Sequence, residues 1–174
     1  MRPPSVRAVL AFLIAAAPAV RADPPAEKPG AEKDPDVTEV RAYPLTQEKV
    51  DQLAAANGAL HKLTQADPAL RKRLEDDDDS DQSIAQMTKN METKYPQAAK
   101  AIRGAGLSVR EFVVLELAFT NDLMIVGMKR QGTLKAYPRG AITAENAAFV
   151  EANYEKLKAL ADQFDDEADD GDDP

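Results

Sequence analysis

The chain has 174 residues and a formal net charge of −8 at neutral pH, with 22 basic and 30 acidic side chains. This excess of negative charge repels nucleic acid and anionic lipid headgroups, so neither is expected as a partner. Cysteine is absent from the sequence, which excludes disulfides and thiolate metal sites and leaves the hydrophobic core as the source of stability.

The first 22 residues have the pattern of a secretory signal peptide. Arg2 and Arg7 form a basic start, and an apolar run extends from residue 8 to residue 20. Small residues near Ala22 predict cleavage after that residue and export to the periplasm or out of the cell. The alternative is an uncleaved amphipathic anchor. A membrane span is not expected, because the run is shorter than the roughly 20 residues that a span needs.

Two segments poor in large apolar residues flank the expected domain. Residues 23–42 are rich in proline and are predicted to be a disordered linker, although the part from Val37 carries apolar residues that would lie along the domain. Residues 165–174 are predicted to be an acidic, disordered tail. Residues 43–164 are then one helical domain, long enough for one core.

Helical periodicity runs through most of this domain. A first helix is predicted after Thr46, a typical N-cap residue, and a short helix is predicted from Pro68. Beyond an acidic stretch, apolar residues recur at helical spacing from Ile84. Pro96 is expected to end or kink that helix, which resumes from the proline.

The clearest local signal begins at Ser108. Ser108 and Glu111 have capping-box spacing, and the segment that follows is apolar on more than one face, which is typical of a central, buried helix. Glu116 and Asp122 interrupt the apolar residues, so we expect no membrane span. The β-branched and aromatic content leaves a two-strand alternative open.

A loop then leads to a last predicted helix, which Thr143 caps and in which Val150, Tyr154 and Leu157 share a face. The elements together predict an all-α fold. We expect a single bundle of about four main helices with a short extra helix, a disordered N-terminal linker and an acidic C-terminal tail.

Residues that carry chemistry are few. The single histidine, His61, has no serine near it in sequence, so neither a Ser–His mechanism nor a zinc or haem site is expected. Glu116 and Asp122 are the carboxylates that a hydrolase-type enzyme would use as acid and base. We favour a structural role for both, and we expect no catalytic residues and no cofactor.

An acidic run occupies residues 75–81. In the register of a calcium loop that begins at Asp77, carboxylates fall at Asp77, Asp79 and Asp81. The glycine of the sixth position and the glutamate of the twelfth are both missing, so the run is not an EF-hand. A weaker, hydrated calcium site at these three aspartates is one hypothesis, and capping of the next helix is the simpler explanation.

Three short patterns resemble those of a family of small exported bacterial proteins of uncharacterised function. They are YPLT at residues 43–46, an AGL-polar-x-x-E helix start at residues 105–111 and an N-x-x-F pattern at residues 146–149. The resemblance spans residues 43–160. It implies an exported helical protein, and it implies no activity, ligand or site.

The leading hypothesis is an exported, soluble helical bundle that acts as a non-enzymatic binding or interaction module. Met87, Met91, Met124 and Met128 would line a groove for a small apolar ligand or a partner helix, or else fill the core. The alternatives are low-affinity calcium binding through residues 75–81 and a hydrolase-type enzyme that uses Glu116 and Asp122.

Overall fold

The computed structural model describes residues 34–76 and 82–169, and every regular element in these two ranges is an α-helix. The helices are α1 (Pro35–Ala42), α2 (Gln47–Ala66), α3 (Pro68–Asp76), α4 (Ile84–Lys94), α5 (Pro96–Gly104), α6 (Val109–Arg130) and α7 (Ala144–Asp169). The predicted all-α class is confirmed. The two-strand alternative is wrong, because α6 runs without interruption through that segment. None of the helices described is long and apolar enough to cross a membrane.

Side-chain caps define where several helices begin. Each cap oxygen accepts a hydrogen bond from the backbone N–H three residues later, which satisfies a donor that the helix itself leaves unpaired. These bonds join Thr46 to Lys49 (3.3 Å), Ser83 to Gln86 (3.2 Å), Ser108 to Glu111 (3.1 Å) and Thr143 to Asn146 (3.1 Å). The break between α4 and α5 falls at Tyr95, as Pro96 predicts.

Helix α6 lies at the centre of the described part of the molecule and packs against α1, α2, α4, α5 and α7. Apolar residues on more than one face of α6 explain this position, because a helix that is apolar on most sides must be covered on most sides. Leu115, Ala118 and Val126 on α6 are completely buried. Gly127 leaves room for the Tyr154 side chain of α7, since a Cβ atom built at Gly127 would lie 2.7 Å from the hydroxyl oxygen of Tyr154.

A second, smaller core holds α3. Leu70 is fully buried and packs with Tyr95 and Ala98, and the Tyr95 hydroxyl donates to the carbonyl oxygen of Arg73 at 2.8 Å. Helix α3 packs mainly on α2. The short helix predicted from Pro68 is therefore anchored at one side of the molecule.

The predicted disorder of the linker, residues 23–42, is corrected for residues 35–42, which form α1. Residues 1–33, with the predicted signal peptide and the start of the linker, lie outside the described residues. The carboxylate of Asp36 accepts from the backbone N–H of Ile84 at 2.8 Å, and Glu39 forms an ion pair with Arg110 at 2.5 Å. These contacts hold α1 against α4 and α6, which composition alone does not indicate. The predicted disorder of the acidic tail, residues 165–174, is corrected for residues 165–169, which belong to α7, and residues 170–174 lie outside the described residues.

Candidate ligand-binding site

A cavity of about 270 Å³ lies between α2, α6 and α7. The helical repeat explains which residues reach it, because side chains three or four positions apart share a face. On α6 the residues that reach the cavity begin at Glu116, and on α2 they are Leu53 and Asn57. The residues that line the cavity are Leu53, Asn57, Glu116, Phe119, Thr120, Leu123, Met124, Ala161 and Phe164.

Glu116 is the titratable group among the nine residues that line this cavity. Its side chain is partly exposed, and its carboxylate forms no hydrogen bond or ion pair with any residue in the described ranges. Burial among apolar groups raises the pKa of Glu116 to about 7, because the charged form loses water without gaining a partner. At neutral pH the carboxyl group therefore exchanges between its acid and its base form.

Two neutral polar side chains, those of Asn57 and Thr120, also line the cavity. Glu116 and Thr120 lie four positions apart on one face of α6, and both line the cavity. The site can therefore offer an amide, a hydroxyl and a carboxyl group to a molecule whose body contacts the apolar walls.

Asp122 lies elsewhere on α6, in a buried network of hydrogen bonds. It is 1% exposed, and its two carboxylate oxygens accept from the side-chain amides of Asn146 (2.7 Å) and Asn121 (2.9 Å). Burial raises the pKa of Asp122, and the two amide hydrogen bonds oppose this shift. These contacts indicate a structural role for Asp122.

Asn146 connects Asp122 to the segment before α2. Its amide nitrogen also donates to the carbonyl oxygen of Tyr43 at 2.8 Å, and its amide oxygen accepts from the backbone N–H of Leu45 at 3.0 Å. Asn146 is 2% exposed. The network thus joins α6, α7 and the Tyr43–Leu45 stretch.

The structure does not bring Glu116 and Asp122 to one site. They are six positions apart in the sequence, which places their side chains roughly 120° apart around the helix axis. Glu116 lines the cavity, and Asp122 is enclosed by its amide partners. A paired acid and base is not formed by these two residues, although the sequence made them the candidates for a hydrolase.

The four methionines do not share one groove. Met124 lines the cavity and is 41% exposed, whereas Met87 and Met91 pack against the main core. Met128 is partly buried and is not among the residues that line the cavity. For Met87 and Met91 the structure therefore agrees with the core-filling alternative.

The candidate calcium ligands Asp77, Asp79 and Asp81 lie outside the described residues. Within residues 34–76 and 82–169, no group of three or more histidine or acidic side chains is placed to hold a metal ion. Calcium binding through residues 75–81 stays a prediction from the sequence.

Sequence reasoning missed the role of Asn146 and the contribution of α7 to the cavity. Asn146 belongs to the N-x-x-F pattern, and its position three residues after the Thr143 cap was visible. Its partners at Tyr43 and Leu45 are more than 100 residues away along the chain. Periodicity cannot reveal such a contact, because it reports only which side chains share a face.

Comparison with known proteins gives no relative for this chain: no protein-family model, curated protein or solved structure matches it. Function is therefore inferred from the cavity and its chemistry.

Proposed function

We propose that this protein is an exported, non-enzymatic binding protein whose helical bundle holds a small amphipathic molecule in the cavity between α2, α6 and α7. The cavity carries this proposal: a largely apolar space of about 270 Å³ with a carboxyl group in its wall. Ligand pockets commonly combine apolar walls with a few polar groups that orient the ligand. Export is supported by the pattern of the first 22 residues.

The volume sets the size of the ligand. An apolar cavity of about 150 Å³ in another protein takes up benzene, so the present cavity suits a somewhat larger body, such as a short alkyl chain or a bicyclic ring. Phe119, Leu123 and Phe164 provide apolar surface for that body. The burial of each methylene group contributes about 0.8 kcal/mol, so a chain of this size supports measurable affinity.

A binding role is favoured over catalysis because Glu116 has no catalytic partner in the cavity. The other lining residues include no histidine, lysine, cysteine or second carboxylate. Nucleophilic catalysis, or hydrolysis by a paired acid and base, needs two groups that act together, each placed within hydrogen-bond reach. One isolated carboxyl group is better suited to orienting a ligand.

The test is a titration of the full chain with 1-octanol, in which the NMR methyl signals of Leu53, Leu123 and Met124 are monitored. We expect saturable shifts of these three signals, because their side chains line the cavity. Ala161→Leu should abolish the shifts by filling the cavity, since Ala161 lies in its wall.

Ala148→Leu is the matched control, because Ala148 is exposed on the same helix and does not line the cavity. That variant should bind 1-octanol as the unchanged chain does. Absence of saturable shifts in the unchanged chain, or equal binding by the Ala161 variant, would contradict the proposed function.

A further inference from the structure

We propose that the ligand is an amphipathic amine, whose protonated amino group pairs with Glu116 while its apolar body occupies the cavity. This inference rests on the proposed function and specifies its ligand. It assigns Glu116 as the residue that selects the ligand and the apolar walls as the surface that retains it.

Glu116 has no hydrogen-bond or ion-pair partner in the described ranges. A carboxylate that is partly withdrawn from water among apolar groups, with no ion pair or hydrogen bond, is less stable in its charged form than a paired carboxylate. Within the described ranges, no basic side chain contacts Glu116, and the other eight lining residues are uncharged. A ligand cation would supply the missing charge and a charge-assisted hydrogen bond.

The polar side chains that line the cavity with Glu116 match the donors of an amine. A protonated primary amine has three N–H donors, of which one is used by the carboxylate. Asn57 and Thr120 line the same cavity, and their amide and hydroxyl oxygens can accept from the other two donors. The site thus combines one negative charge with two neutral acceptors, which matches the donors of an ammonium group.

The chain carries a formal net charge of −8, which also favours a cationic ligand. A negative field raises the local concentration of cations and opposes the approach of anions. Burial raises the pKa of Glu116 because its charged form lacks a partner, and an adjacent cation would remove that penalty. An anionic ligand would add to the penalty.

The experiment compares three probes of equal chain length: n-octylamine, 1-octanol and octanoate. Each is titrated by calorimetry into the full chain at about pH 8, where an alkylamine is still protonated. We expect octylamine to bind at least about tenfold more tightly than 1-octanol, because a hydrogen bond to a charged group is stronger than one between neutral groups. Octanoate should bind most weakly.

Two matched variants test the role of Glu116. Glu116→Gln should remove the preference for octylamine over 1-octanol, because glutamine keeps the size of the side chain and loses its charge. Glu48→Gln makes the same chemical change at an exposed carboxylate on α2 outside the cavity, and it should retain the preference. Circular dichroism would establish that both variants are folded.

The outcomes separate this inference from the proposed function. Equal binding of octylamine and 1-octanol, or a preference for octanoate, would overturn the amine assignment while the cavity remains a binding site. A preference for octylamine that survives Glu116→Gln would also overturn it. Failure of all three probes to bind would overturn the proposed function itself.

Discussion

Glu116 and Asp122 show how two carboxylates on one helix acquire different properties from their surroundings. Asp122 keeps two amide donors and is enclosed, whereas Glu116 has no partner among the described residues and lines a cavity. Burial raises the pKa of both groups, and for Asp122 the amide hydrogen bonds offset part of that effect. Asp122 is therefore suited to holding the fold together, and Glu116 is suited to meeting a ligand.

The raised pKa of Glu116 predicts a pH dependence of stability. Its pKa is about 7 in the folded chain and near 4.5 when unfolded, so between these values the folded chain holds the proton more tightly. The unfolded state then binds fewer protons, and the free energy of unfolding falls as the pH rises from about 4.5 to about 7. The full shift corresponds to about 3 kcal/mol, and partial exposure reduces the expected loss to about 1–2 kcal/mol.

Urea unfolding of the unchanged chain and of Glu116→Gln at about pH 4.5 and about pH 8 checks this prediction. The glutamine variant does not titrate at this position, so it should gain about 1–2 kcal/mol relative to the unchanged chain over that interval. Glu48→Gln is the control at an exposed position. Parallel pH profiles for the unchanged chain and Glu116→Gln would show that the carboxyl group is not perturbed.

At the scale of elements, the start of α7 is the point at which three parts of the chain meet. The Thr143 cap directs Asn146 inward, and Asn146 then bonds to Asp122 on α6 and to the backbone at Tyr43 and Leu45. A single amide group therefore supplies two donor contacts and one acceptor contact. The connection between the stretch before α2 and the α6–α7 pair depends on it.

Asn146→Ala should lower the free energy of unfolding by about 2–4 kcal/mol, because it leaves the buried N–H of Leu45 and the buried carboxylate of Asp122 without this partner. The measurement is urea unfolding at a fixed pH. Asn153→Ala is the matched control on the same helix, since Asn153 makes one hydrogen bond, to the carbonyl oxygen of Phe149. We expect a loss below about 1 kcal/mol for the control, and equal losses would show that the network adds nothing.

At the scale of the whole molecule, stability is distributed unevenly between the two cores. Helix α6 contacts most other helices of the described part, whereas α3 packs mainly on α2 through Leu70. Segments with few buried apolar contacts open at lower free energy than the central core. We therefore expect α3 to open without global unfolding.

Native-state hydrogen exchange on two equivalent substitutions checks this expectation, because Leu115 and Leu70 are both completely buried. Leu115→Ala should reduce the protection of amides throughout the described helices by about 2–5 kcal/mol. Leu70→Ala should remove the hydrogen-exchange protection of the α3 amides and reduce that of the α6 amides much less. The loss of protection at α6 cannot exceed the free energy with which α3 packs on the rest of the fold. Equal loss of α6 protection in both variants would mean that the two cores unfold together.

The helices themselves were predictable because their signals are local. Caps at Thr46, Ser108 and Thr143 and the break at Pro96 depend on neighbouring residues, so they can be read without knowing the fold. The central position of α6 followed from its apolar faces. Helix α1 was not predictable in this way, because its contacts reach Ile84 and Arg110, which are distant in sequence.

The candidate site likewise has features that the sequence predicts and features that depend on the tertiary structure. The sequence by itself determined that Glu116 and Thr120 share a face of an apolar helix, because the α-helical repeat places residues four apart on one side. Only the tertiary structure decided that this face meets α2 and α7 around a cavity, and that Asp122 is taken up by Asn146 instead. The reason is physical: the space left between three packed helices, and the partners of a buried polar group, depend on contacts between residues far apart along the chain, which no local pattern encodes.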